Sequence, residues 1–206
     1  CGNTPTSGWI NLDNSPAIKL ANSSQKFSIL KSLGVLSAEQ IQNVEWNKRN
    51  KITFADATKR LPFDDKSVEV IYTSHMLEHL SLKDAENVLR EAKRVLKPKG
   101  IIRIAVPDLR IIMQEYLKTG DANACMRRLM VQAPAITTVR EKLNLLLVGY
   151  RHHQWMYDGN SISKMLVMYG FNDVEIMETG HSKISDPGHL NLKEREDESV
   201  YVEGVC

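Results

Sequence analysis

Apolar and polar positions change period along this chain. "SVEVIYTS" and "IIRIAVPD" are apolar, β-branched runs, the pattern of strands covered on both faces. Between them, "SLKDAENVLREAKRVLKPKG" sets Leu82, Ala85, Val88, Leu89, Ala92, Val95 and Leu96 on one stripe, which predicts an amphipathic helix. Ser81 with Asp84 resembles a capping box at its start, and Pro98 and Gly100 predict its stop. Upstream, "GWINLD" and "KITFADA" read as short strands. "SSQKFSILKSLG" and "SAEQIQNVEWNKRN" read as helices opened by serine caps. "LPFDD" is a turn, because Pro62 fixes the backbone and Asp64 and Asp65 bond it locally.

The stretch from Leu109 to about Val148 is mostly helical in pattern, and "DGNSISKMLVMYGF" is a helix closed by Gly170. "DVEIME" and "ESVYVEGV" are strands with no helix between them, which predicts an antiparallel pair. The rest alternates strand and helix. The expectation is a single α/β domain over residues 1–206, with a mostly parallel sheet sandwiched by helices. In open sheets of this kind ligands sit beyond the carboxyl ends of the strands. Attention therefore falls on Asp13, Asp56 with Ala57, Ser74 with His75, and Pro107 with Asp108.

Composition narrows the classes. The chain has 206 residues, 42% hydrophobic and 25% charged, which argues for a globular protein and against disorder. A formal net charge of +2 does not imply a nucleic-acid partner. The densest basic stretch, "REAKRVLKPKG", ends a predicted helix, where it compensates the macrodipole. Three widely spaced cysteines, Cys1, Cys125 and Cys206, fit free thiols in a reducing cytosol, so a cytoplasmic location is expected. No apolar run approaches membrane-spanning length.

From Ile52 to Asp108, "FADATKRLPFDDKSVEVIYTSHMLEHL" and then "LREAKRVLKPKGIIRIAVPD" resemble a class I S-adenosylmethionine-dependent methyltransferase in order, spacing and residue type. "HQWMYDGNSISKMLVMYGF" with "DVEIME" looks like that family's late helix and strand. The likeness is to the small bacterial branch found with polysaccharide-assembly enzymes. It implies a Rossmann-like three-layer αβα sandwich, S-adenosyl-L-methionine as cofactor, and methyl transfer to an oxygen or nitrogen of a small-molecule or saccharide acceptor. It also implies that "CGN" is the tail of a glycine-rich turn whose strand lies upstream of Cys1.

Site residues follow from the resemblance. Cys1, Gly2 and Asn3 would face the methionyl part of the cofactor. Asp13 would accept the ribose hydroxyls, although it stands only eleven positions after Gly2, nearer than the ~20 residues of the dinucleotide fingerprint. Asp56 would accept from the adenine amine and the Ala57 backbone would meet the ring. Asp13 and Asp56 also read as simple turn residues. Ser74, His75 and Met76 would face the sulfonium and its methyl. His75 and His79 are candidate proton acceptors near neutral pH, and His79 reads equally as a hydrogen-bonded scaffold residue. Glu78 is expected to face solvent or to pair with a neighbouring base. His152, His153, Trp155 and Tyr157 line an acceptor pocket on one reading; on the other they pack the core beside a helix cap at Asp158 or Asn160.

Two rivals stand beside the methyltransferase reading. One is a methyltransferase-fold binding module without catalysis. The other is a zinc peptidase, because "HMLEH" matches H-x-x-E-H, a motif that works within a helix. The methyltransferase reading itself calls for no metal.

Overall fold

The computed structural model describes residues 4–50, 52–132 and 152–206. The chain forms two compact units. The described part of the first is residues 4–50 and 52–57, and that of the second is residues 58–132 and 152–206. Together they give the expected α/β, Rossmann-like arrangement of helices with parallel and antiparallel strands.

In the first unit, β1 (Leu12–Asp13) pairs in parallel with β2 (Thr53–Phe54), with Asp13 opposite Phe54. Both strands are shorter than "GWINLD" and "KITFADA" predict. Three helices connect them: α1 (Pro16–Ala21), α2 (Ser24–Ser32) and α3 (Ala38–Arg49). The helix α1 is not evident from periodicity; Pro16 at its first turn supplies a preset φ without a donor to satisfy. Of the two expected serine caps, Ser37 forms a full capping box with Gln40, whereas the Ser23 side chain makes no cap bond. Ile18, Phe27 and Val44 are the buried anchors of the three helices.

The second unit holds a four-stranded sheet in the order β3-β4-β6-β5. The strands are β3 (Val68–Ser74), β4 (Leu96–Pro107), β5 (Asn172–Met177) and β6 (Ser199–Val205). β3 and β4 run parallel, and β6 runs antiparallel to both β4 and β5. The last two strands thus pair as expected, but β6 lies between β4 and β5. Its residues are buried almost throughout, as an interior strand requires, while β5 exposes most of its positions at the edge.

Helix α4 (Leu82–Val95) starts at Ser81, which accepts from the Asp84 backbone N–H. Ala85, Val88, Leu89, Ala92 and Val95 are buried as the stripe predicts, but Leu82 is exposed. The helix stops before Pro98. Leu96 is already extended and begins β4, which shifts register against β3 between Val68 and Val70. The strand pattern then places Ile102, Ile104, Val106, Val200 and Val202 in one core with Leu89 and Ala92 of α4. Ile162 and Leu166 of α7 (Gly159–Met168) join the same core. Residues of β4 and β6 on the opposite face, Arg103, Tyr201 and Glu203, bond the irregular segment between β5 and β6. Helices α5 (Leu109–Thr119) and α6 (Ala122–Leu129) begin the long helical stretch, whose remainder to Val148 lies outside the described residues.

Candidate functional site

In the first unit the parallel pair ends at Asp13 and just before Asp56. The Ala55 N–H donates to the Asp13 carbonyl over 3.1 Å, so both carboxylates belong to the same strand ends. Asp13 Oδ1 also accepts from the Ser15 backbone N–H at 2.7 Å, the local bond expected of a turn residue ahead of α1. Asp56 and Ala57 follow β2 after Ala55. Cys1, Gly2 and Asn3 lie outside the described residues.

In the second unit β3 and β4 end side by side, with Ser74 opposite Ala105. The Ser74 hydroxyl is buried and has no partner in hydrogen-bond geometry among the described residues. The chain then turns sharply. His75 takes a left-handed backbone, φ 48°, while its N–H still donates to the Ala105 carbonyl at 2.9 Å. Met76 packs its side chain against the core cluster. A single 3-10 turn, Leu77–His79, carries the rest of the motif to α4.

The His75 ring is oriented from both sides. Arg195 Nη1 lies 3.3 Å from Nδ1 and Ser199 Oγ lies 2.9 Å from Nε2. A guanidinium only donates, so Nδ1 is the acceptor and Nε2–H donates to Ser199. Arg195 also lines a shallow depression with Arg128, Asp197 and Glu198.

Of the two expectations for Glu78, a place beside neighbouring bases holds and a solvent-facing one does not. Its side chain is 1% exposed, and neither carboxylate oxygen has a hydrogen-bond partner among the described residues. Oε1 lies 3.4 Å from His75 Nδ1 and 3.9 Å from His79 Nε2. The burial follows from the backbone: Gln154 N–H and Trp155 N–H both donate to the Glu78 carbonyl, at 2.7 and 3.2 Å, and so lay the "HHQWMY" segment across this turn.

The same segment supports His79. Gln154 Nε2 donates to the His79 carbonyl at 2.7 Å. His79 Nδ1 lies 3.2 Å from the His152 carbonyl, which can only accept, so Nδ1 carries the proton and the Nε2 lone pair faces Glu78. The His153 ring stands edge-on to His79 with centroids 5.0 Å apart. Burial holds the His153 imidazole below its usual pKa, although nearby Glu78 pulls the other way. Tyr157, in the core, has a buried hydroxyl without a described partner; burial first and Glu78 second push its phenol up to about 12.

The core-packing reading of the "YRHHQWMYD" cluster holds for Tyr157 and Asp158. Tyr157 packs the core and Asp158 caps α7, bonding the Ser161 N–H at 2.7 Å. His153 is buried beside the catalytic candidates, and Trp155 is largely exposed. Asp108 caps α5 through the Arg110 N–H, and burial raises its pKa. The role of Glu78 was not legible from its neighbours. The one signal available was its place in H-x-x-E-H, and that motif here spans a strand end and a 3-10 turn rather than a helix.

Residues 31–104, just over a third of the chain, match the protein family described as "Methyltransferase domain". No curated protein matches the chain. Among solved structures, it is similar to a SAM-dependent methyltransferase from Archaeoglobus fulgidus at 14% identity, covering 95% of this chain and 85% of that one, with TM-score 0.46. A methyltransferase from Mesorhizobium loti is 18% identical, covering 83% and 77% of the two chains, with TM-score 0.44. One from Methanosarcina mazei is 14% identical, covering 82% and 78%, with TM-score 0.45.

Proposed function

We propose that this protein is an S-adenosylmethionine-dependent methyltransferase that transfers a methyl group to an oxygen or nitrogen of a small-molecule or saccharide acceptor. The observation that carries the reading is the family match over residues 31–104, which contains Asp56, Ala57, Ser74, His75, Met76 and His79. The two units are read as parts of one methyltransferase domain. Order and spacing of the motifs support a place in the bacterial polysaccharide-associated branch, and the free-thiol cysteine pattern supports a cytoplasmic location.

The donor set suits this cofactor. Asp13 and Asp56 are acceptors for ribose hydroxyls and an adenine amine, and Ala57 offers backbone and a small side chain. The buried Ser74 hydroxyl has no partner in hydrogen-bond geometry among the described residues and could bond a ligand. Ser74, His75 and Met76 would face the methyl donor. When bound, S-adenosylmethionine supplies a methyl group activated by its sulfonium, so the protein's work is chiefly positioning and exclusion of water. His79 and His75 are the residues proposed to take the acceptor's proton. Of the two, His79 keeps a lone pair on Nε2, whereas Nδ1 of His75 already accepts from Arg195.

Calorimetry with S-adenosylmethionine, followed by transfer of a labelled methyl group to a panel of hydroxylated and amine acceptors, tests the reading. Binding with turnover is expected. Binding without turnover across the panel would favour the non-catalytic module, and no binding at millimolar ligand would end both.

A further inference from the structure

Glu78, His79 and His153 form a group whose ligand atoms all lie within 4.8 Å of one another. We propose that these three residues bind a divalent first-row transition ion of the Zn²⁺ class. Three observations converge on this. The first is the Glu78 carboxylate, 1% exposed with both oxygens lacking a hydrogen-bond partner among the described residues. A buried carboxylate is costly unless it is paired or coordinates a metal.

The second is the orientation of the two imidazoles. His79 donates Nδ1–H to the His152 carbonyl, which leaves Nε2 facing Glu78. The Leu129 backbone lies near the His153 ring and favours its protonated form, and the buried His153 Nδ1 has no partner among the described residues. A backbone carbonyl behind one ring nitrogen, with the other nitrogen turned to a shared point, is how metal-binding histidines are held. The third is the donor chemistry. Two imidazoles and one carboxylate suit Zn²⁺ and its neighbours rather than Mg²⁺ or Ca²⁺, which prefer oxygen.

The ligand set differs from the peptidase motif, whose two histidine ligands would be His75 and His79. His75 is unavailable because Arg195 and Ser199 occupy its two ring nitrogens. Tetrahedral ligands at about 2.1 Å from zinc stand about 3.4 Å apart, so side-chain rotations of about an ångström would close the group. His79 is 32% exposed and gives the ion a path to solvent. Three protein ligands leave a coordination position open. In the methyl-transfer reading, on which this role alone rests, an acceptor hydroxyl bound at the open position would have its pKa lowered by the ion and release its proton to solvent water, replacing proton acceptance by His79.

The test uses the full chain without a histidine tag, stripped with a chelator and titrated with Zn²⁺ and Co²⁺, with no cofactor or acceptor present. One ion per chain is expected, with a Co²⁺ visible spectrum typical of low coordination number. His79→Gln and His153→Gln should each weaken binding by roughly 100-fold or more, since even outer partners of such sites contribute 10- to 100-fold. His79 is partly exposed, so its variant should keep the parent far-UV circular dichroism and melting temperature. No stoichiometric ion, or unchanged affinity in the folded His79→Gln chain, would overturn the proposal. S-adenosylmethionine binding, measured separately on the stripped chain, reports on the methyltransferase reading whichever way the metal result falls.

Discussion

Arg103 on β4 and Glu203 on β6 stand directly opposite each other across the sheet, both fully buried, with Nη1 donating to Oε1 over 2.7 Å. The pair is well supplied with partners. Arg103 also donates to the carbonyls of His181 and Leu192, and Glu203 accepts from Ser182 Oγ and the Lys183 N–H. Tyr201 lies beneath the guanidinium, 4.9 Å from its ring centroid. The pair thereby ties the irregular segment after β5 onto the sheet.

Breaking this pair from one side should be severe. Arg103→Met leaves a buried carboxylate without its counter-charge, and a loss of about 3–5 kcal/mol is expected. Adding Glu203→Gln should restore part of it, because the amide oxygen still accepts from Ser182 and Lys183. Urea denaturation of the two single variants and the double variant checks this; additive losses would show that the two charges are not coupled.

Asp158 should contribute as a cap. Its carboxylate bonds the Ser161 N–H, and Ser161 Oγ accepts from the Asp158 N–H in return. Asp158→Ala should cost about 1 kcal/mol. The Ser161 backbone bond, ahead of other causes, holds this carboxyl below its usual pKa. A depressed folded-state pKa stabilises above the unfolded value of about 3.9 and is lost as pH falls through the folded value. The stability gap between wild type and Asp158→Asn should therefore be constant from neutral pH to about 5 and shrink below 4. A gap independent of pH would remove the ionised carboxylate from this account.

Gly100 sits where β4 re-enters register with β3. A Cβ there would come within 2.9 Å of the Glu69 and Lys97 carbonyl oxygens and 3.1 Å of Leu96 Cδ2. Two of these three atoms are backbone, so Gly100→Ala should cost about 1–3 kcal/mol, as overpacking does. Thermal melts compared with Gly120→Ala, which meets nothing within 4 Å but carries a left-handed φ, would separate crowding from backbone preference.

Asp56→Ala should weaken S-adenosylmethionine binding by about 1.5–3 kcal/mol, the range for a hydrogen bond to a charged group. The fold should survive, because Asp56 lies just past β2 and ahead of a turn, outside any helix or strand. Titration calorimetry on the variant decides it, and unchanged affinity would return Asp56 to the role of a turn residue.

Much of the architecture was open to reading because local physics dictates it. The stripe of α4 has a 3.6-residue period that only a helix can bury, and Ser37, Ser81 and Asp158 satisfy N–H groups that every helix start leaves unpaired. Strand periodicity likewise located β3, β4, β5 and β6 and the strand ends at Asp13, Asp56, Ser74 and Asp108. Tertiary structure alone decided the rest. The insertion of β6 between β4 and β5 depends on which edges pair, information absent from either strand's own pattern. Arg103 and Glu203, a hundred positions apart, are tolerable inside the sheet only because each meets the other. Glu78 read as facing solvent or pairing with a neighbouring base, and its burial was decided only where Gln154 and Trp155 bonded its carbonyl and closed the "HHQWMY" segment over it. A single sequence records each of these groups, but the free energy that places Glu78 and Arg103 lies in partners more than seventy residues away.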